Sequence, residues 1–139
     1  MVAKTYFGLE SVLADEIKLL GGKHVRELNR AVSYTGDKAL LYKSNLYLRT
    51  ALRILIPVIE TEIKNQVEFY ARLREYEWEK YLEPGMTVAV DTFLNSSVFT
   101  NSHFVTLRAK DAIVDRIRDL TNRRPSVNTT SPDLMINIH

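Results

Sequence analysis

The residues best suited to do chemistry lie between Asn95 and Val127, and the chemistry they suit is recognition of anions and sugar hydroxyls. The stretch opens on small amides and hydroxyls, among them Asn95, Ser96, Ser97, Thr100, Asn101 and Ser102. Ser102 is expected to cap a helix by accepting a hydrogen bond from a free backbone N–H of the first turn. The run that follows has no Gly or Pro until Pro125, which is expected to stop it. At the helical period Val105, Ala109, Ala112, Ile113, Ile117 and Leu120 form one apolar arc. Arg108, Asp111, Asp115, Arg118 and Asp119 fall opposite, and Arg108–Asp111 and Asp115–Arg118 have the spacing to pair. Lys110 has Thr106, Leu107, Ile113 and Val114 three and four positions away, so no carboxylate of this helix is expected to meet it. Arg116 also borders the arc, and Arg123 and Arg124 follow the helix end. Each cation alone could instead lay its stem along the core edge or complement the helix dipole. Together, beside the amide- and hydroxyl-rich loop, they read as a ridge of unpaired cations suited to phosphate and sugar contacts.

Bond-making chemistry is not visible. There is no P-loop and no GxGxxG, and Gly21-Gly22 follows a helix, the wrong context for a phosphate cradle. No GxSxG occurs. The histidines, His24, His103 and His139, are too scattered for a ligand motif. Glu75, Glu77 and Glu79 are interleaved with Arg72, Arg74 and Lys80, the pattern of a solvated helix face. Tyr76, Trp78 and Tyr81 could stack bases, but at helical spacing beside acids they read as core. No catalytic residue and no metal ligand is assigned.

Composition sets outer bounds. The 139 residues suffice for one medium domain or two small ones. The longest apolar run, 52–59, contains Arg53 and Pro57, so no membrane span is expected. With no cysteine and no apolar leader before a cleavage site, the expected location is the cytoplasm. The net charge of +2 is too small to announce a nucleic-acid binder. Its distribution says more. Residues 1–64 carry ten Lys/Arg against seven Asp/Glu, 65–94 carry three against six, and 95–139 carry six against four. A polyanion would be drawn to the two ends of the chain and repelled by its middle.

The elements that position these residues follow from periodicity. A strand over 3–7, a helix over 9–20 closed by Gly21-Gly22, strands over 23–29 and 31–35, a helix over 38–48 capped by Asp37, and a strong strand over 50–62 give β-α-β-β-α-β. That is the ferredoxin-like split βαβ order, complete by residue 62. Asn65 with Glu68 approximates a capping box for a helix to Tyr76 that should bury Val67, Tyr70 and Leu73. A further turn over 77–82 anchors Trp78, and Glu83-Pro84-Gly85 is a turn. A strand over 86–94 precedes the central loop and helix. A last strand begins at Leu134 and stops at His139 in mid-pattern, as if the chain were cut from something longer.

The segment NSHFVTLRAKDAIVDRIRDLTNRRPSVNTTSPDLMINIH resembles the signature of bacterial THUMP-containing RNA methyltransferases. The closest resemblance is to the large-subunit ribosomal RNA guanine-N2 methyltransferase group, often labelled N6-adenine-specific DNA methylase. FGLESVLADEI, NLYLRTALRIL, Trp78 and the turn-strand from Pro84 to Val90 fit the same group, so the resemblance covers essentially the whole chain. It implies an α/β (α+β) chain in which a ferredoxin-like domain, 1–62, precedes a THUMP domain, 63–139, incomplete at its C-terminal strand. Profile boundaries for THUMP often start earlier, near Tyr42. The resemblance also implies structured RNA, in particular large-subunit ribosomal RNA, as partner. S-adenosylmethionine and the Asn/Asp-Pro-Pro-Tyr/Phe catalytic motif would belong to a methyltransferase domain absent here. No cofactor is expected in this chain.

The RNA surface is expected to gather Asn101, Ser102, Lys110, Arg123 and Arg124 with Arg49 and Arg53 from a helix-to-strand junction. An alternative from another class is a protein-interaction module that pairs through its exposed last strand.

Overall fold

The computed structural model describes residues 1–139 as two compact units, Met1–Thr61 and Glu62–His139. No helix is long and apolar enough to cross a membrane.

The first unit runs β1 (Val2–Lys4), α1 (Glu10–Leu19), β2 (Lys23–Leu28), β3 (Ala31–Thr35), α2 (Lys38–Tyr47) and β4 (Arg53–Leu55). Its four strands pair antiparallel in the order β2-β3-β1-β4, the ferredoxin-like arrangement. Ala3, Val32 and Tyr34 from the sheet meet Leu13, Ala14 and Ile17 of α1 and Leu40 of α2 in one core, so both helices cover the same face. The Tyr34 hydroxyl donates to Ser44 Oγ at 2.9 Å, which satisfies the polar pair that α2 buries against the sheet.

Local sequence sets the helix ends. Gly21 adopts φ +94° after α1, and the N–H groups of Gly21 and Gly22 reach the carbonyls of Lys18 and Ile17, the Schellman closure. A side chain at Gly22 would meet Ile17 Cγ2 at 2.4 Å. Asp37 caps α2 by accepting from Leu40 N.

The strand expected over 50–62 is the main departure: only Arg53–Leu55 is strand. β4 is an edge strand whose one neighbour, β1, offers three residues, and Pro57 has no N–H for a ladder. Ile56 and Val58 are consequently exposed.

The second unit runs α3 (Gln66–Glu75), a single 3-10 turn (Trp78–Lys80), β5 (Thr87–Thr92), α4 (Ser102–Thr121), β6 (Ser126–Val127) and β7 (Leu134–Ile138). Its sheet is parallel, in the order β6-β5-β7. Asn65 caps α3 by accepting from Glu68 N at 2.9 Å, and the Glu68 carboxylate accepts from Lys64 N, one residue away from the reciprocal bond of a capping box. Phe69 and Leu73 are the buried residues of α3, while Val67 is exposed. The expected face was therefore rotated: Phe69 meets Phe99 with ring centroids 5.3 Å apart. Trp78 is buried as expected, and its indole N–H donates to Leu73 O at 2.6 Å.

Val105, Ala109, Ala112, Ile113 and Ile117 of α4 are buried with Val88 and Ala89 of β5 and Ile136 of β7. Leu120, assigned to the same arc, is exposed, because it lies on the last turn. β5 has buried neighbours in succession at Val88 and Ala89, as a parallel central strand covered on both faces requires. The 128–133 connection crosses the start of β5, where the Asp133 carboxylate accepts from both Thr87 N and Thr87 Oγ1 at 2.7 Å. Those two donors hold the Asp133 carboxyl below its ordinary range.

Candidate nucleic-acid interface

α4 organises the second unit, and its caps differ from those expected. Asn101, not Ser102, is the N-cap: its Oδ1 accepts from Phe104 N at 3.0 Å, and Ser102 is the first helical residue. The C-terminus is set before Pro125 is reached. Asn122 takes the left-handed conformation, φ 53°, and its N–H bonds Arg118 O. Asn enters that region more easily than most residues.

Most cations of α4 are held by groups within the second unit. The Arg108 guanidinium lies over the Tyr70 ring, 4.2 Å from its centroid, and does not pair with Asp111. Lys110 Nζ pairs with its sequence neighbour Asp111 at 3.0 Å. The expectation that Lys110 lacks a carboxylate on its own helix is therefore wrong: a four-carbon stem can curl to an adjacent residue. Arg118 pairs with Asp115 at 2.9 Å, as expected.

Arg116 is the most heavily engaged. Its Nε and Nη2 grip Glu79 at 2.8 and 2.5 Å, and Nη1 donates to the carbonyls of Arg74 and Glu75. Those carbonyls end α3, so Arg116 closes that helix in place of a local cap. Its hydrogen bonds, first among causes, lower the Glu79 carboxyl to about 2. The Tyr70 hydroxyl donates to Asp115 at 2.5 Å, a bond that raises the phenol above its ordinary range. Arg74 pairs with Asp119. Thus the Glu79 assigned to a solvated face is half of a clamp that ties the 3-10 turn to α4.

Arg123 and Arg124 remain. Both are exposed and neither forms an ion pair. The turn at Asn122 lifts them off the helix, and Arg123 N donates to Thr121 Oγ1. They belong to the α4–β6 connection, beside the paired starts of β5 and β6.

At the other end of α4, Thr92, Asn95, Ser96, Phe99, Thr100 and Ser102 help line a concavity of about 540 Å³. Asn101 and Ser102 are exposed there. α4 has twenty residues, which separates its ends by about 30 Å. The expected residues of this unit therefore form two groups, Asn101–Ser102 and Arg123–Arg124, with Lys110 neutralised between them.

In the first unit Arg49 and Arg53 are both exposed but belong to different layers. Arg49 follows α2 on the helix layer, where its backbone N–H donates to Glu16 of α1. In β4, Ile54 packs on the core, so Arg53 stands on the helix-free face, opposite Lys4 of β1. The expected pairing of Arg49 with Arg53 on one surface therefore fails, because the chain passes from the helix layer to the sheet between them.

The model of the THUMP domain matches residues 64–139, and that of the RlmL ferredoxin-like domain matches residues 1–55. The chain belongs to the THUMP-domain family. Among similar proteins is the ribosomal RNA large subunit methyltransferase K/L of Syntrophotalea carbinolica, 36% identical over 95% of this chain and 18% of its own length. That of Magnetococcus marinus is 36% identical over 98% of this chain and 19% of its own length. The chain spans between 17% and 34% of the curated relatives it matches. A solved protein assigned as a methyltransferase and complexed with SAH aligns over 99% of this chain and 38% of its own, with TM-score 0.80 and 27% identity. Another, assigned on prediction as an N6-adenine-specific DNA methylase of Listeria monocytogenes, aligns over 99% of this chain and 37% of its own, with TM-score 0.77 and 25% identity.

Within the THUMP unit, sequence reasoning missed the Arg116–Glu79 clamp and the Arg108–Tyr70 contact. The signal available was only chemical type, since the partners lie 37 residues apart for Arg116 and Glu79.

Proposed function

We propose that this chain is the RNA-recognition part of a ribosomal RNA methyltransferase. It holds structured large-subunit ribosomal RNA for an S-adenosylmethionine-dependent guanine-N2 methyltransferase domain on the same polypeptide, in the cytoplasm. The observation that carries the reading is the Arg123–Arg124 pair, two exposed guanidinium groups left without carboxylates on a THUMP unit whose other cations are largely paired. Arginine forks suit phosphate geometry, and A-form RNA is read mainly through phosphates and 2′-hydroxyls. Asn101 and Ser102 at the far end of α4, and Arg49 and Arg53 on the first unit, are assigned as further contacts. Lys110 has a weaker claim, being tied to Asp111.

The test is a salt titration of binding to a ribosomal RNA hairpin. Replacing Arg123 and Arg124 with Ala should weaken binding and lower the slope of log affinity against log salt by about one to two. Replacing Arg72 and Arg74, which are paired with Glu75 and Asp119, should do little. Equal losses from both pairs would mean diffuse charge attraction and would sink the assignment.

A second reading rests on β7, which is paired on one side only, by β5. Its other edge could add a partner strand. Binding through that edge would be nearly independent of salt.

A further inference from the structure

In the ferredoxin-like unit, the exposed surface of α2 carries a pattern that α4 lacks. Leu40 and Ser44 point to the core, and Lys38, Tyr42 and Leu46, spaced by four, fall on the opposite side of the helix. Tyr42 is 58% exposed and Leu46 76%; Tyr47, 63% exposed, pairs by spacing with Lys43 on the flank of the helix, about 140° round from Tyr42. The Lys38 ammonium lies over the Tyr42 ring, 5.9 Å from its centroid. That leaves the other face of the ring for stacking, with a cation beside the ring. Lys43 follows, and it shares a shallow depression with Lys23 at the start of the helix.

Charge makes this face selective. From residue 38 to residue 59 the chain carries Lys38, Lys43, Arg49 and Arg53 and no Asp or Glu. Two carboxylates adjoin this surface, Asp37, which lines the same depression as Lys43, and Glu16 of α1, and both accept backbone N–H groups. Asp37 accepts from Leu40 N, and Glu16 accepts from Arg49 N, Thr50 N and Thr50 Oγ1. None of the α2 cations forms an ion pair.

We infer that the exposed surface of α2 is a second RNA contact, along which Tyr42 and Tyr47 stack unpaired bases while Lys38, Lys43 and Arg49 meet the adjoining phosphates. Exposed tyrosines interleaved with unpaired cations are the arrangement that single-stranded nucleic acid takes, because every base has a π-face to stack and every linkage a charge. A fully paired helix hides its base faces, so the aromatic contribution exists only at loops, bulges or ends. The inference rests on the proposed RNA recognition and specifies that the first unit takes the unpaired part of the RNA.

The experiment compares two probes on the whole chain: a hairpin with a single-stranded extension, and a blunt duplex of equal length and charge. Tyr42→Ala with Tyr47→Ala should weaken binding of the extended hairpin by about tenfold or more and leave the duplex nearly unchanged. Tyr42→Phe with Tyr47→Phe should retain wild-type affinity for both. Lys38→Gln with Lys43→Gln should lower the salt slope on the extended hairpin more than on the duplex. The tyrosines are exposed, and unchanged circular dichroism would show that the variants are folded. Loss of equal size on both probes would overturn the inference. So would unchanged affinity of the tyrosine variant while Arg123→Ala with Arg124→Ala still weakens binding, and that outcome would leave the RNA-recognition reading intact. Abolition of self-association with RNA affinity unchanged would assign the face to protein contact and also overturn it. No binding of wild-type chain to either probe would remove the RNA reading and this inference together.

Discussion

Four cations of α4 are held by groups of its own unit: Arg108 on the Tyr70 ring, Lys110 on Asp111, Arg116 on Glu79 and Arg118 on Asp115. α2 also carries cations and aromatic rings, but Lys38 and Lys43 form no ion pair, and Lys38 lies over the Tyr42 ring. The difference arises from what surrounds each helix. α4 packs against the sheet on one side and against α3 and the 3-10 turn on another, and those elements bring Glu79, Tyr70 and the backbone carbonyls that close α3. α2 packs on its sheet through Leu40 and Ser44 and presents the rest of its surface outward. Counting charges along a helix therefore does not say which are available to a ligand. Availability depends on the elements packed beside the helix.

Mutation of these cations should separate the two helices. Arg116→Ala removes four hydrogen bonds, two of them to a carboxylate, from a side chain only 21% exposed. It should destabilise the second unit by about 2 kcal/mol, read as a shift of the urea midpoint. Lys43→Ala on α2 should stay within about 0.5 kcal/mol. Similar losses at both positions would break the contrast.

Acid titration should sharpen it. The Glu79 carboxyl is lowered from 4.5 to about 2, chiefly by its hydrogen bonds to Arg116. Its folded value lies below its unfolded value, so the stability it contributes is complete above about pH 4.5 and is lost as pH falls from there toward 2. Arg116→Ala should flatten the dependence of stability on pH in that window, whereas Lys38→Ala should leave it unchanged. A wild-type profile that already lacks this acid limb would argue against the clamp.

The smallest effect concerns the start of α4. Asn101→Ala should cost about 1 kcal/mol, the ordinary value of an N-cap, and Ser102→Ala only a few tenths. The reverse order would restore the cap to Ser102.

Much of the architecture was legible in the sequence because its causes are local. The Gly21-Gly22 closure of α1, the Asp37 and Asn65 caps and the buried arc of α4 each depend on residues a few positions apart. The β-α-β-β-α-β order follows from periodicity alone. The exposed Arg123–Arg124 pair could also be picked out, since nothing acidic stands next to it in the chain. What the sequence could not supply was the fate of groups whose partners are distant. The 50–62 segment has the composition of a long strand, yet its length was decided by a three-residue neighbour, β1. Arg49 and Arg53 look adjacent until Ile54 turns toward the core and places Arg53 on the opposite layer from Arg49. Arg116 looked like a free cation until folding brought it to Glu79. Backbone hydrogen bonds and apolar periods repeat within a helical turn or a strand pair, so they are written locally, whereas an ion pair forms only where the fold delivers both charges.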